Sequence, residues 1–302
     1  MVQELFIIGN GFDLYHGLAT RYTDFIEYMK SHYPEEYGWL YDSIRRYSLD
    51  YWDLIGKGRD QIIWSDMENV LGSFEPLELL EEHRDWNTSE DYKGPASEEI
   101  RHLLNFGMNV NEYLHGWIKE LNRDISSIQG RRWISRLFEE KENLTLSFNY
   151  TLTIEKLYRK PVLHIHGRKR EKLIMGHGNY NGGDIQSDNF GINLVNERYV
   201  KRYFHGTYKN CQKIMEKHAG FFSKSTLGGI RKVYVLGHSL NNVDMPYIRR
   251  ILELIGREAE WRIVCYDEES RRQYQAAAEE LFGNSRKYEV IFWDELQKKY
   301  EG

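Results

Sequence analysis

Apolar positions recur with two different periods along this chain, and the change between them divides it into three stretches. ELFII, residues 4–8, is a short, mainly apolar run of strand length bounded by Gly9 and Gly11. It predicts a strand buried on both faces with a tight exit. Phe25, Ile26 and Met29 then recur at helical spacing behind Thr20 and Thr23, either of which can cap a helix starting about a dozen residues after the strand. From residue 32 to 138 only the helical period is present. Ile63, Met67, Val70, Leu71 and Phe74 share one face, and so do Phe106, Val110, Tyr113, Leu114, Trp117 and Leu121. Between those two segments EEHRDWNTSEDYKGPASEE is polar and holds Gly94-Pro95, the composition of an exposed loop.

Beyond Glu142 short apolar runs and helical patterns alternate: NLTLSF then TIEKLY, VLHIH then KLIMG, KVYVLG then a helix through Ile248, Ile251, Leu252 and Ile255, RIVCY then QYQAAAEELF, and YEVIFW last. Alternation over this many units predicts an α/β fold, a largely parallel Rossmann-like sheet with helices on both faces. The expected division is a core of residues 1–31 and 139–302 and an all-helical insertion over 32–138.

Composition narrows the function. The 41 Lys and Arg against 46 Asp and Glu give a net charge of -5, which disfavours nucleic acid as a partner. Two cysteines, Cys211 and Cys265, are too few for a disulfide framework or a zinc finger and suit a reducing compartment, so the expected location is cytoplasmic. No apolar run is long enough to span a membrane.

In open α/β sheets ligands gather at the carboxyl ends of strands. Four predicted exits are small, polar or glycine-containing: Gly9-Asn10-Gly11-Phe12-Asp13, Asn149-Tyr150-Thr151, His166-Gly167 and Gly237-His238-Ser239. Gly9 and Gly11 suit either a phosphate loop or a ligand-free tight turn; Leu14 stands where a third glycine would complete the dinucleotide fingerprint. Asp13 repels a phosphate and fits a ribose hydroxyl or a structural hydrogen bond better. Asn149 reads as a water- or ribose-holding amide or as a helix cap, and His166 as a general base or a structural histidine. His164 is the weaker candidate of that pair. A metal held by His164, His166, His177 and His238 lacks any recognised ligand spacing and is not expected. In GHSLNNVDMPYI, Asn241 or Asn242 caps a helix and Asp244 favours its positive end, or else Ser239 and Asp244 meet nucleoside hydroxyls beside Gly237.

The exits taken in order, IIGNGFDLYHGL with TRYTDF, WSDME, SFNYTLTIEKLY, HIHG and VLGHSLNNVD, resemble the AbiH-like abortive-infection proteins of bacteria, and through them, more distantly, the sirtuin-like NAD-binding fold. The resemblance implies an anti-phage protein that binds NAD or a related nucleotide and is a candidate hydrolase of the nicotinamide-ribose bond, or else a non-catalytic nucleotide sensor. It implies Asn149 and His166 as catalytic residues, with Gly9, Asn10, Gly11, Phe12, Asp13, Gly167, Gly237, Ser239 and Asp244 around the nucleotide. A phage-derived trigger or partner protein belongs to the same expectation. Trp64, Asp66 and Glu68 match the insertion motif, as lid carboxylates or a solvated helix face.

Overall fold

The computed structural model describes residues 3–47, 68, 71, 98–139, 142–178, 201–203, 205–283 and 285–301. The chain forms two compact units. The first comprises Met1–Thr20, Ile118–Leu173 and Asn210–Gly302, and the second Arg21–Trp117 and Ile174–Lys209.

The first unit is built on six strands: β1 (Glu4–Ile8), β2 (Asn143–Ser147), β3 (Leu163–His164), β4 (Lys232–Leu236), β5 (Glu260–Cys265) and β6 (Tyr288–Phe292). They pair side by side in the order β3-β2-β1-β4-β5-β6, and each pairing is parallel. This is the doubly wound order of a Rossmann-type sheet, in which the chain reverses its direction of travel between β1 and β4. The α/β expectation is met, with a sheet that is wholly parallel among the described strands.

The register explains the apolar runs. Leu5 lies opposite Leu144 and Val233, and Ile7 opposite Leu146 and Val235. Phe6, Ile8, Tyr234, Leu236, Val264 and Ile291 pack into one cluster with Trp133, Ile134, Leu137 and Phe138 of a helix at Arg132–Glu139, and with Trp293 and Leu296 of a last helix at Trp293–Lys298. Phe6 stacks on Tyr234 at 5.0 Å and meets Phe138 edge-on at 4.8 Å. The intervening positions Leu5, Ile7, Val233, Val235 and Ile263 are equally inaccessible. A strand with neither face in water needs a nearly continuous apolar run, which LFII of β1 and VYVL of β4 supply.

Three local expectations are corrected. A helix, α1 (Asn10–Tyr15), starts immediately at the β1 exit, ahead of the expected one, α2 (Tyr22–His32). Neither threonine caps α2: the Asp24 carboxylate accepts the Arg21 amide N–H at 2.7 Å. VLHIH is strand only over Leu163–His164, because the chain turns at Ile165 and His166, and KLIMG forms no regular element.

In the second unit α2 and α3 (Pro34–Tyr47) are joined by the residues up to Trp117 of a long helix, α4 (Glu98–Asp124). Phe25 meets Trp117 at 5.2 Å and Tyr33 meets Tyr113 at 4.6 Å, and all six apolar positions expected on the α4 face are buried. Glu68 forms a buried 2.6 Å ion pair with Lys209, and its carboxylate also accepts the Gly176 amide N–H at 3.2 Å. Trp64, Asp66, the Gly94-Pro95 loop and most of the Ile63–Phe74 face lie outside the described residues.

The exits of β1 and β4 touch through backbone. A Cβ at Gly9 would stand 2.5 Å from the His238 Cα, and one at Gly237, where φ is +68°, would stand 2.5 Å from both the Gly11 carbonyl carbon and the Phe12 nitrogen. Gly237→Ala is therefore expected to lower stability by at least about 2 kcal/mol. Gly220→Ala, with nothing within 4 Å of its new methyl, should stay within about 0.5 kcal/mol of wild type. Urea midpoints of the two variants check the contrast.

Candidate functional site

The β1 exit answers the first question raised by its sequence. Gly11 N–H donates to the Gly237 carbonyl at 2.8 Å, Phe12 N–H to the Gly9 carbonyl at 2.9 Å, and Gly9 N–H to the Leu236 carbonyl at 3.1 Å. The glycines let two strand exits lie against each other, with the Gly11 amide joining them and the Phe12 amide closing its own turn onto Gly9. These amides do not fit a pyrophosphate cradle, which needs them free to donate. Phe12 turns into the core, against His16 at 4.5 Å, Tyr158 at 6.1 Å and Trp293 at 6.1 Å.

Asp13 is buried as well. Its carboxylate accepts from Thr151 Oγ1 at 2.5 Å and Thr153 Oγ1 at 2.6 Å, so it ties α1 to the start of α6 (the helix Thr153–Tyr158). This is the structural hydrogen bond of the two roles open to it. Burial pushes its pKa up to about 6, the threonine hydroxyls pulling back against that rise. His16 completes the anchor: Nδ1 donates to the Phe12 carbonyl at 2.7 Å while Nε2 accepts from Tyr158 Oη at 2.5 Å. Burial takes its pKa down to about 4.

Asn149 follows β2 and lies half-buried. Its Nδ2 donates to the Gly9 carbonyl at 3.0 Å, and its own carbonyl accepts from His164 Nδ1 at 2.8 Å. The side chain is thus no helix cap; Leu152 occupies that position. His164 Nε2 faces Glu155 Oε1 at 2.9 Å, and Arg168 reaches the same carboxylate at 3.4 Å. The two histidines of HIHG diverge, His164 toward Asn149 and His166 toward β4. Gly167 serves the loop that follows: with φ +83°, a Cβ there would stand 2.3 Å from the Lys172 carbonyl oxygen.

His166, His238 and Asp244 converge. His166 Nε2 stands 3.5 Å from Asp244 Oδ1 and His238 Nε2 stands 3.4 Å from Asp244 Oδ2, with all three side chains at most 9 % exposed. Asp244 occupies the cap position of α9 (Met245–Leu254; α7 and α8 are Cys211–Lys217 and Lys224–Leu227) without capping it. Instead Asn241 Oδ1 accepts the Asp244 amide N–H at 3.2 Å, which fixes the turn, and the carboxylate faces the imidazoles. Phe148 lies against His238 at 4.2 Å and His166 at 5.4 Å, and Tyr247 lies 5.6 Å from His166. Aromatic walls raise the strength of charge interactions inside by excluding water. A carboxylate shared by two imidazoles in such surroundings can take up, hold and return a proton.

Of the predicted residues, Phe12 and Asp13 serve the core and Gly167 its loop, and others gather in two places. Asp244 and His166 meet in the buried centre. Asn10 and Ser239 are exposed, and Gly11 and Asn149 half-exposed, on the rim formed by the exits of β1, β2 and β4. His238 entered the sequence reading only as a metal ligand, yet its six-residue spacing from Asp244 across an Asn-Asn turn was the available sign of the pair. Among the described residues no three metal-ligating side chains gather into a metal site, and no helix is long and apolar enough to cross a membrane.

Residues 5–265 match the family described as Bacteriophage abortive infection AbiH. The chain belongs to the AbiH family. Its role accordingly lies in bacteriophage abortive infection, and the match takes in every exit of this AbiH protein from Gly9 to Asp244. No curated protein matches the chain closely enough to add a relative.

The paired shifts of Asp13 and His16 oppose each other. Asp13 holds its proton in the folded state up to about 6 against 3.8 ordinarily, so its burial lowers stability as pH rises from 3.8 to 6. His16 resists protonation down to about 4 against 6.5, so its contribution is complete above 6.5 and is lost as pH falls toward 4. Each effect is on the order of 3 kcal/mol. Asp13→Asn is expected to unmask the histidine, giving a urea midpoint that falls more steeply than wild type between pH 6.5 and 4. Parallel pH profiles for the two proteins would contradict this.

Proposed function

We propose that this AbiH protein acts in abortive infection by hydrolysing NAD, or a related nucleotide, at the bond between nicotinamide and ribose. The observation that carries the reading is the Asp244 carboxylate, which lies between His166 and His238 at 3.5 and 3.4 Å. It stands beside the point where a doubly wound sheet reverses, the usual crevice for nucleotides. The polar rim of Asn10, Asn149 and Ser239 offers donors and acceptors suited to ribose hydroxyls. With the Asn149 Nδ2 engaged by Gly9, its Oδ1 is the end that accepts from a hydroxyl or from water.

In this reading water forms a bond to the anomeric carbon of the nicotinamide ribose. The C–N bond breaks, its electron pair leaves on the nicotinamide nitrogen, and the water proton passes to His166. Asp244 stabilises the imidazolium so formed, the part a buried carboxylate plays beside a general base. No step is assigned to the pyrophosphate, since the α1 amides are engaged elsewhere. A phage-derived trigger or a partner protein sets when the reaction starts.

Burial of His166, His238 and Asp244 favours a second reading, a nucleotide sensor without turnover. The two are separated by incubating the purified chain with NAD and following nicotinamide release alongside NAD binding. Hydrolysis predicts that His166→Ala and Asp244→Asn each cut release by about 100-fold or more while binding persists. Binding without release in wild type leaves the sensor, and release that survives both substitutions removes His166 and Asp244 from the reaction.

A further inference from the structure

The two histidines around Asp244 are not equivalent, and the difference originates in the backbone. Leu240 is buried and holds φ at +54°, a left-handed conformation that is uncommon for a bulky residue and strained by about 1–2 kcal/mol. In that conformation the Leu240 amide N–H points back and donates to His238 Nδ1 at 3.0 Å. An imidazole nitrogen that accepts has no proton, so the ring carries its proton on Nε2. That nitrogen faces Asp244 Oδ2 at 3.4 Å, while Oδ1 is left to His166. Phe148, 4.2 Å from the His238 ring, closes one side of it. A proton added at Nδ1 would have to displace the Leu240 N–H, which the turn leading to α9 holds in place.

We propose that His238 is a positioning residue: the strained Leu240 turn fixes its Nε2–H form, that N–H faces Asp244 Oδ2, and the carboxylate is thereby oriented toward His166. This rests on the hydrolase reading for its functional meaning, and on the backbone geometry alone for the state of His238. Strain maintained by surrounding structure at such a point is a common property of sites whose geometry must be set in advance. In the hydrolase reading His166 is then the member of the pair that receives the water proton, while the Leu240 N–H fixes the tautomer of His238. Chain order fits this division, because His238, Leu240 and Asp244 lie on one short segment whereas His166 comes from a different exit.

The test uses the full chain labelled with ¹⁵N-histidine and long-range ¹H–¹⁵N correlation of the imidazole rings, the His238 and His166 signals being assigned by their loss in His238→Gln and His166→Gln. Wild type is expected to show His238 protonated on Nε2 with a bare Nδ1. Glutamine keeps an N–H donor near the Nε2 position and asparagine does not reach it, so the His166 pattern should persist in His238→Gln and change in His238→Asn. Nicotinamide release should follow the same order, within about threefold of wild type for glutamine and down by at least about 10-fold for asparagine. A wild-type His238 protonated on Nδ1, or on both nitrogens, overturns the proposal whatever the activity. An Nε2–H pattern with no release from wild type supports the positioning and counts against the hydrolase reading instead.

Discussion

Everything at the candidate site depends on one contact, the 2.8 Å hydrogen bond from Gly11 N–H to the Gly237 carbonyl, made where two strand exits meet without side chains between them. β1 and β4 are neighbours in the sheet, and the chain departs from them in opposite directions. Side chains at Gly9 or Gly237 would force those exits apart. With the exits closed together, β1 supports Asn149 through the Gly9 carbonyl, and β4 delivers His238 and then Asp244 to His166. The charged centre and the polar rim are thus consequences of a backbone packing arrangement.

The price of that arrangement is a set of buried polar groups near α1, and each is satisfied within the unit. Asp13 takes two threonine hydroxyls, and His16 bridges a carbonyl and a tyrosine. Near neutral pH His16 is neutral, the form its burial favours, whereas Asp13, pushed up only to about 6, has given up its proton and is held by the threonine hydroxyls. They anchor the first helix from below, while Asp244 and its histidines lie beyond it at the neighbouring exits. Proton chemistry and structural anchoring therefore occupy different residues, although both draw on the same short sequence motifs.

Much of the fold was legible in the sequence because strands buried on both faces must be mainly apolar, and ELFII, VYVL and RIVC are, Glu4 and Arg262 apart. α1 was not legible, since a helix of six residues beginning with Asn-Gly carries no periodic signal of its own. The glycine loop was read correctly as a place of close approach, but sequence does not say what approaches, and here it is the neighbouring exit. The pairing of Thr151 and Thr153 with Asp13 has no sign in the sequence because the partners lie about 140 positions apart. His166 and Asp244 were singled out separately; their meeting, and the part of His238, needed the strand order. Phe12, named for its place in the loop, belongs to the core because a helix starting at Asn10 turns it inward.

The central claim is that the joined exits form a ligand site, and hydrogen–deuterium exchange of the full chain with and without NAD tests it most directly. The account predicts slower exchange on NAD addition in peptides covering residues 147–151, 164–167 and 237–244 together, with little change at the already bonded amides of Gly9, Gly11 and Phe12. Protection confined to other segments, or none at saturating NAD, would contradict it.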